Sequence, residues 1–195
     1  ILIGASAGAV STGDNAVFIG YNAGAAWTSG DRQVGIGYQA LQASTTGLYN
    51  LAVGGFALLA NTTGTYNIAI GDSALKANVG AGYNTAIGAG ALSYLNDAAA
   101  NENVAVGHNA LRGAGSGFSG LYNTVVGTYA MEGATTASRN TVVGRSAAQN
   151  MTTTAESVII GYTAGTALTT GNYNVAIGHE ALKTTAGAGN NVAVG

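Results

Sequence analysis

Hydrophobic and polar positions along this chain recur with one short pattern, an apolar run closed by glycine: ILIG, VFIG, VGIG, LAVG, IAIG, TAIG, VAVG, TVVG, TVVG, VIIG, VAIG, VAVG. The closing glycines are Gly4, Gly20, Gly37, Gly54, Gly71, Gly88, Gly107, Gly127, Gly144, Gly161, Gly178 and Gly195, at intervals of 16, 17, 17, 17, 17, 19, 20, 17, 17, 17 and 17 residues. A period this regular predicts one structural unit stacked on copies of itself. The residue before the glycine is Ile or Val in 12 of 12 copies, and three before it 9 of 12 are Ile, Leu or Val. Both positions share a strand face, and β-branched residues favour strands. The pattern therefore predicts twelve short parallel strands, one per coil.

The glycine itself predicts a corner that needs positive φ or a close backbone approach; Gly20, Gly37, Gly54, Gly71, Gly88, Gly107, Gly127, Gly144, Gly161 and Gly178 are the internal corners. Alanine follows three residues later in all 11 complete copies, usually with leucine after it. A polar turn completes the coil, with Gly13, Gly30, Gly47, Gly64, Gly120 and Gly171 seven before the next corner, often after a threonine pair. Asparagine stands four before the corner at Asn50, Asn67, Asn84, Asn103, Asn123, Asn140, Asn174 and Asn191. Equal spacing stacks these in register, so the column reads either as an amide ladder or as turn asparagines tolerating left-handed backbone. The Ala-Leu segments are too short for globular helices. The fold class expected is all-β: a parallel β-solenoid of about 17 residues per coil and 11–12 coils, spanning residues 1–195 as a single array. At a strand spacing of about 4.8 Å it makes a rod about 53 Å long.

The residue two before each glycine points opposite to the Ile/Val pair. Its occupants include Phe18, Ala52, Ala69, Ala86, Ala105, Val125, Val142, Ile159, Ala176 and Ala193, and none is polar. A strand apolar on both faces is a buried strand, and the coil has no second element to cover the outer face. We expect a homo-oligomer whose interface is built from these ten residues, since a bare strip of this length exceeds what monomers usually expose.

Composition narrows the function. Asp, Glu, Lys and Arg make up only 7% of the chain, against about 25% in an average domain. A net charge of -2 carries no basic footprint for nucleic acid or anionic lipid, and no apolar run reaches the length of a spanning helix. Cysteine is absent, which removes disulfides and thiolate metal sites. Proline is absent too, as expected where nearly every backbone N–H serves a ladder. With a repeat at each end and no polar cap, the chain reads as the middle of a longer protein.

Laid out as N-x-A-I-G-x-x-A-L, the unit resembles the head repeats of trimeric autotransporter adhesins and, more closely, related arrays in bacteriophage tail-fibre proteins. Segments 66–75 (YNIAIGDSAL), 83–92 (YNTAIGAGAL) and 173–182 (YNVAIGHEAL) carry the likeness, which covers essentially the whole chain. It implies a left-handed parallel β-roll, three chains about one axis, and an extracellular attachment fibre on a virion tail or bacterial surface whose partners are sister chains and a host-surface glycan or protein. The coils here are longer than those of the adhesin heads, with Thr-Thr-Gly turns.

Enzymatic readings fail on the residues. His108 and His179 follow a corner glycine at a position also held by Tyr21, Asp72, Thr128 and Arg145, and no general-base partner recurs beside them. His179-Glu180 lacks the second histidine of a zinc-protease motif, and Gly35-Ile-Gly37 belongs to the repeat rather than to a dinucleotide fingerprint. Hexapeptide-repeat acyltransferases need an apolar side chain where Gln42, Lys76, Arg112, Glu132 and Lys183 stand; that column marks a solvated edge. No catalytic residue, metal or cofactor is expected. Asn61-Thr-Thr and Asn150-Met-Thr match the glycosylation acceptor pattern without further support. The longer coils, 89–107 and 108–127, carry extra residues in segments 95–102 and 112–122. Insertions become loops, so Asn96, Asp97, Glu102, Arg112 and Phe118 are candidate recognition residues, against the plainer reading of tolerated drift. Two other functions fit less well: a self-assembling extracellular filament, and ice binding through Thr45-Thr46, Thr62-Thr63, Thr135-Thr136, Thr169-Thr170 and Thr184-Thr185.

Overall fold

The computed structural model describes residues 1–10, 15–115 and 117–195; Gly13 of the turn series and Ser116 of the second insertion lie outside the described residues. The strands are β1 (Leu2–Ile3), β2 (Val17–Ile19), β3 (Val34–Ile36), β4 (Leu51–Val53), β5 (Ile68–Ile70), β6 (Thr85–Ile87), β7 (Val104–Val106), β8 (Thr124–Val126), β9 (Thr141–Val143), β10 (Val158–Ile160), β11 (Val175–Ile177) and β12 (Val192–Val194). They form one parallel sheet in strict sequence order. Register follows the repeat: Ala52 pairs with Ala69, Ala69 with Ala86 and Ala86 with Ala105. The fold is an all-β parallel solenoid of about eleven turns and about 17 residues per turn.

The turns are laddered like the strands. Gln39 N–H donates back to the Tyr21 carbonyl at 2.9 Å, and Leu41 N–H donates forward to the Ala57 carbonyl at 3.0 Å. Left-handed backbone at three places per coil makes this alternation: φ is 56° at Gln39, 53° at Leu41 and 57° at Tyr49. Most coils place non-glycine residues there despite a cost of about 1–2 kcal/mol each, which stacking must offset. With amide groups of both strand and turn committed to the neighbouring coils, proline has no place.

The corner glycines satisfy both halves of the expectation. Gly54 has φ +135°, and a Cβ built on it would lie 2.5 Å from the Gly71 carbonyl oxygen. Gly88 repeats the arrangement against Gly107, also at 2.5 Å. A side chain at a corner would collide with backbone that cannot move without breaking the ladder.

The core corrects the expected orientation of the strands. Phe18, Ala52, Ala69, Ala86, Ala105, Val125, Val142, Ile159 and Ala176 are buried completely within this chain, and Ala193 packs against the same core. They face into the coil and are not an oligomer interface. The Ile/Val pairs that flank them face outward, as at Ile68 and Ile70, which are 38% and 36% exposed. The physical reason is space. The middle strand residue shares the core with the residue four after the corner, and at most coils their sizes compensate. Ala52, Ala69, Ala86 and Ala105 face Leu58, Leu75, Leu92 and Leu111, whereas Phe18 and Ile159 are met by Gly24 and Gly165. A Cβ on Gly24 would fall 2.5 Å from the Phe18 ring, and one on Gly165 would lie 3.1 Å from Ile159. Trp27 closes this end of the core edge-on to Phe18, ring centroids 5.3 Å apart.

Buried amides form the coil's polar spine. Asparagines of the column accept, through Oδ1, the backbone N–H of the next coil's residue: Asn67 from Asn84 at 3.1 Å, Asn84 from Asn103 at 3.0 Å and Asn103 from Asn123 at 3.0 Å. The ladder is the correct one of the two readings of this column. A second, two-residue ladder that the sequence reading missed joins Asn78 Nδ2 to Asn61 Oδ1 at 3.1 Å. Asn61 is wholly buried, so it cannot accept a glycan in the folded chain.

Candidate functional surfaces

No group of three or more His, Asp or Glu side chains able to hold a metal occurs among the described residues, and no helix there is long and apolar enough to cross a membrane. The chemistry on display is that of surfaces.

The first surface is the outer face of the sheet. Its strand residues are the Ile, Val and Thr positions one and three before each corner, and it runs the length of the rod. Columns of exposed aromatic residues flank it on both sides. Tyr49, Tyr66 and Tyr83 stand five before their corners and stack face to face, with centroids 4.7 and 5.0 Å apart and planes within 10° of parallel. Arg32 extends this column, donating from a guanidinium nitrogen to the Tyr49 hydroxyl at 2.9 Å. After the corner, Tyr21 stacks on Tyr38 at 5.5 Å, and Tyr162 stacks on His179 at 5.4 Å. His108 meets Tyr129 edge-on at 5.1 Å. Both histidines are thus members of surface ring stacks.

The second surface is the edge made by residues two, five and six after the corner. A groove of about 350 Å³ opens there, lined by Leu59, Ala60, Ser73, Lys76, Ala77, Ser93 and Tyr94. Farther along the same edge Arg112 pairs with Glu132 at 3.5 Å, and Gln149 donates to Glu132 at 3.0 Å.

The two longer coils behave differently from each other. Asn96, Asp97 and Glu102 are exposed; Asp97 accepts the Ala99 N–H at 2.9 Å, which fixes a tight local turn. Phe118, by contrast, is completely buried and bridges to Leu95, with its N–H donating to the Tyr94 carbonyl at 2.9 Å. It fills core, because an inserted aromatic next to an apolar interior gains more by burial than by display; as a recognition residue it is withdrawn. Arg112 is half-buried and held by Glu132.

In three of the threonine pairs the first hydroxyl is committed to a carbonyl of the neighbouring coil. Thr45 Oγ1 donates to the Thr62 carbonyl at 3.1 Å, Thr62 to Val79 at 3.2 Å and Thr135 to Thr152 at 3.1 Å. In these three pairs only the second threonine, Thr46, Thr63 or Thr136, stands exposed.

No family model matches the chain, and neither the curated proteins nor the solved structures compared with it include a match.

Proposed function

We propose that this chain is a non-enzymatic segment of an extracellular fibre, assembled as a homotrimer of left-handed rolls, that acts as a rigid spacer and attachment surface on a phage tail or bacterial cell. The single observation that carries this reading is the outer sheet face: a strip mostly of Ile and Val, with Leu51, Thr85, Thr124 and Thr141, running over twelve strands, edged by tyrosine and not covered by any of the described residues. At about 4.8 Å per strand the strip is about 53 Å long, and strands three residues wide make it several hundred Å² in area. A monomer rarely leaves so continuous an apolar patch in water, while sister chains related by one axis would each bury theirs against the next. The repeat's resemblance to fibre arrays points the same way. So does the low content of charged residues, 7% of the chain.

The test is sedimentation equilibrium of the native chain beside an Ile68→Asp/Ile70→Asp variant. The native chain is expected to be a trimer, and the variant a monomer with the same β circular dichroism, since both side chains point outward. A native chain that sediments as a folded monomer at micromolar concentration overturns the assembly.

A further inference from the structure

The groove on the turn edge lies where a small residue stands between larger ones in its column. Five residues after successive corners stand Leu59, Lys76, Ser93 and Arg112. Ser93 is the small member, so a gap two coils long, about 10 Å, lies between two cations. Its walls combine three chemistries. Leu59, Ala60 and Ala77 offer methyl and methylene groups, and the exposed Tyr94 offers a ring. Ser93 offers a hydroxyl with no protein partner among the described residues. Lys76 offers an ammonium, and none of the ion pairs among the described residues includes it.

The cations are placed differently. Arg112 is already neutralised by Glu132 and lies over the Tyr94 ring, 5.5 Å from its centroid. It stiffens that wall. Lys76 Nζ sits 5.2 Å from the Phe56 ring centroid, a contact that holds the side chain without cancelling its charge. The nearest acid in sequence, Asp72, accepts from Ser73 Oγ at 3.0 Å and leans over Gly55. The groove's floor has no free amide, because Ala60 and Ala77 donate to the Lys76 and Ser93 carbonyls at 3.1 Å each. Recognition must therefore come from side chains: an apolar face, a hydroxyl and one unpaired positive charge.

We infer that this groove binds a carboxylated pyranose, an acidic sugar of the uronic or sialic type. Such a ring has a C–H face to lie on Tyr94 and the alanine methyls, hydroxyls to meet Ser93, and a carboxylate for Lys76. About 350 Å³ falls in the range of small-ligand sites and holds one or two sugar rings. A neutral sugar would leave Lys76 unpaired, and a free carboxylate would leave the apolar wall empty. The inference gives a ligand class to the attachment role proposed above and rests on that reading for its biological sense, although the groove contains no residue of the outer sheet face.

The experiment is an NMR titration of the native chain with methyl β-glucuronide, with the methyl glycoside of N-acetylneuraminic acid and with neutral methyl β-glucoside. Saturable shifts at the Ala77, Ser93 and Tyr94 amides are expected for at least one acidic glycoside, with the neutral one weaker by about tenfold or more, the usual size of a lost charge-assisted contact. Lys76→Gln should remove that preference. Ser93→Leu should abolish binding by filling the gap; leucine already occupies the equivalent place at Leu59, so the coil should still fold, as circular dichroism would show. Equal binding of acidic and neutral sugars, or no saturable shift with any, overturns the inference. Sedimentation of the same samples reads the assembly separately, so a failed titration on an intact trimer removes the ligand and leaves the fibre.

Discussion

Asn67 gives both its backbone N–H and its side-chain Nδ2 to one oxygen, Oδ1 of Asn50, at 3.0 and 3.2 Å. The same Asn67 amide also donates to the Ala81 carbonyl at 2.8 Å. Asn67, Asn84, Asn103, Asn123, Asn140 and Asn174 thus each join successive coils: they accept from the next, donate to the previous one, and tie down a turn carbonyl. In an interior of low dielectric, a chain of amides of this kind is strong when complete and costly when broken.

Asn84→Ala should therefore be among the most damaging single changes. It leaves the Asn103 N–H without its acceptor, removes one of the acceptors of Asn103 Nδ2, and takes one donor each from the Ala100 and Gly82 carbonyls. At about 1–3 kcal/mol for the orphaned buried N–H, with a further contribution from the weakened contacts of the others, a loss of about 2–4 kcal/mol is expected in denaturant unfolding. Asn84→Ser should cost distinctly less. Ser157 occupies the same column and accepts the Asn174 N–H through Oγ at 3.0 Å, so a hydroxyl can carry the backbone half of the ladder.

Corner and insertion glycines should separate cleanly under substitution. Gly54→Ala must push a methyl into the Gly71 backbone, at 2.5 Å, with φ at +135°. Neither the strain nor the clash can be relieved without parting two coils, and a loss of about 3 kcal/mol or more follows. Gly115→Ala meets nothing within 4 Å and should change stability by less than about 0.5 kcal/mol. Thermal melts of the two variants, measured together, check the contrast; comparable losses would refute it.

Period, strand positions, corner glycines and the existence of an asparagine column were legible, because each is a statement about spacing and stacking turns spacing directly into contact. That the column bonds as a ladder was one of two readings until the amides were placed. The facing of the strands was not. Ile and Val on one side and Ala on the other give two apolar faces, and hydrophobicity alone assigns neither to the interior. The discriminating signal was present in side-chain volume: Leu2 and Gly8, Phe18 and Gly24, Gly35 and Leu41, Ile159 and Gly165 trade size within a coil. Only residues that share one closed space need to do so. Phe118 was misread for a related reason. An insertion defined by length alone says nothing of whether its aromatic turns inward, and the groove at Ser93 was invisible because it depends on what two neighbouring coils place beside a small residue.

Acid titration should single out one exposed pair. Lys183 Nζ donates to Glu180 Oε1 at 2.6 Å, and this hydrogen bond, more than the charges of Lys183 and His179, holds the Glu180 carboxyl below the usual carboxylate range. A carboxyl lowered in the folded state contributes stability above its unfolded pKa and loses it as pH falls through the lowered folded value. The effect on unfolding should be slight because the pair is solvated. The direct measurement is the Glu180 carboxyl carbon shift against pH. Lys183→Met should move its midpoint upward, and an unmoved midpoint would show that the contact does not persist in solution.

The size exchange across the core makes the sharpest prediction about packing. Ile159→Ala removes a fully buried side chain and should cost about 2–5 kcal/mol through lost burial and the cavity left behind. Gly165→Leu alone should also destabilise, since its Cβ would already lie 3.1 Å from Ile159 and from Leu168. Together they recreate the Ala/Leu pairing of Ala52 with Leu58 and Ala69 with Leu75, where leucine takes the same left-handed backbone, φ +51° at both leucines. The double variant should therefore recover most of the stability lost by either single one, a coupling of about 2 kcal/mol or more in a double-mutant cycle. Simple additivity of the two losses would mean that the middle strand residue and the residue four past the corner do not share one space.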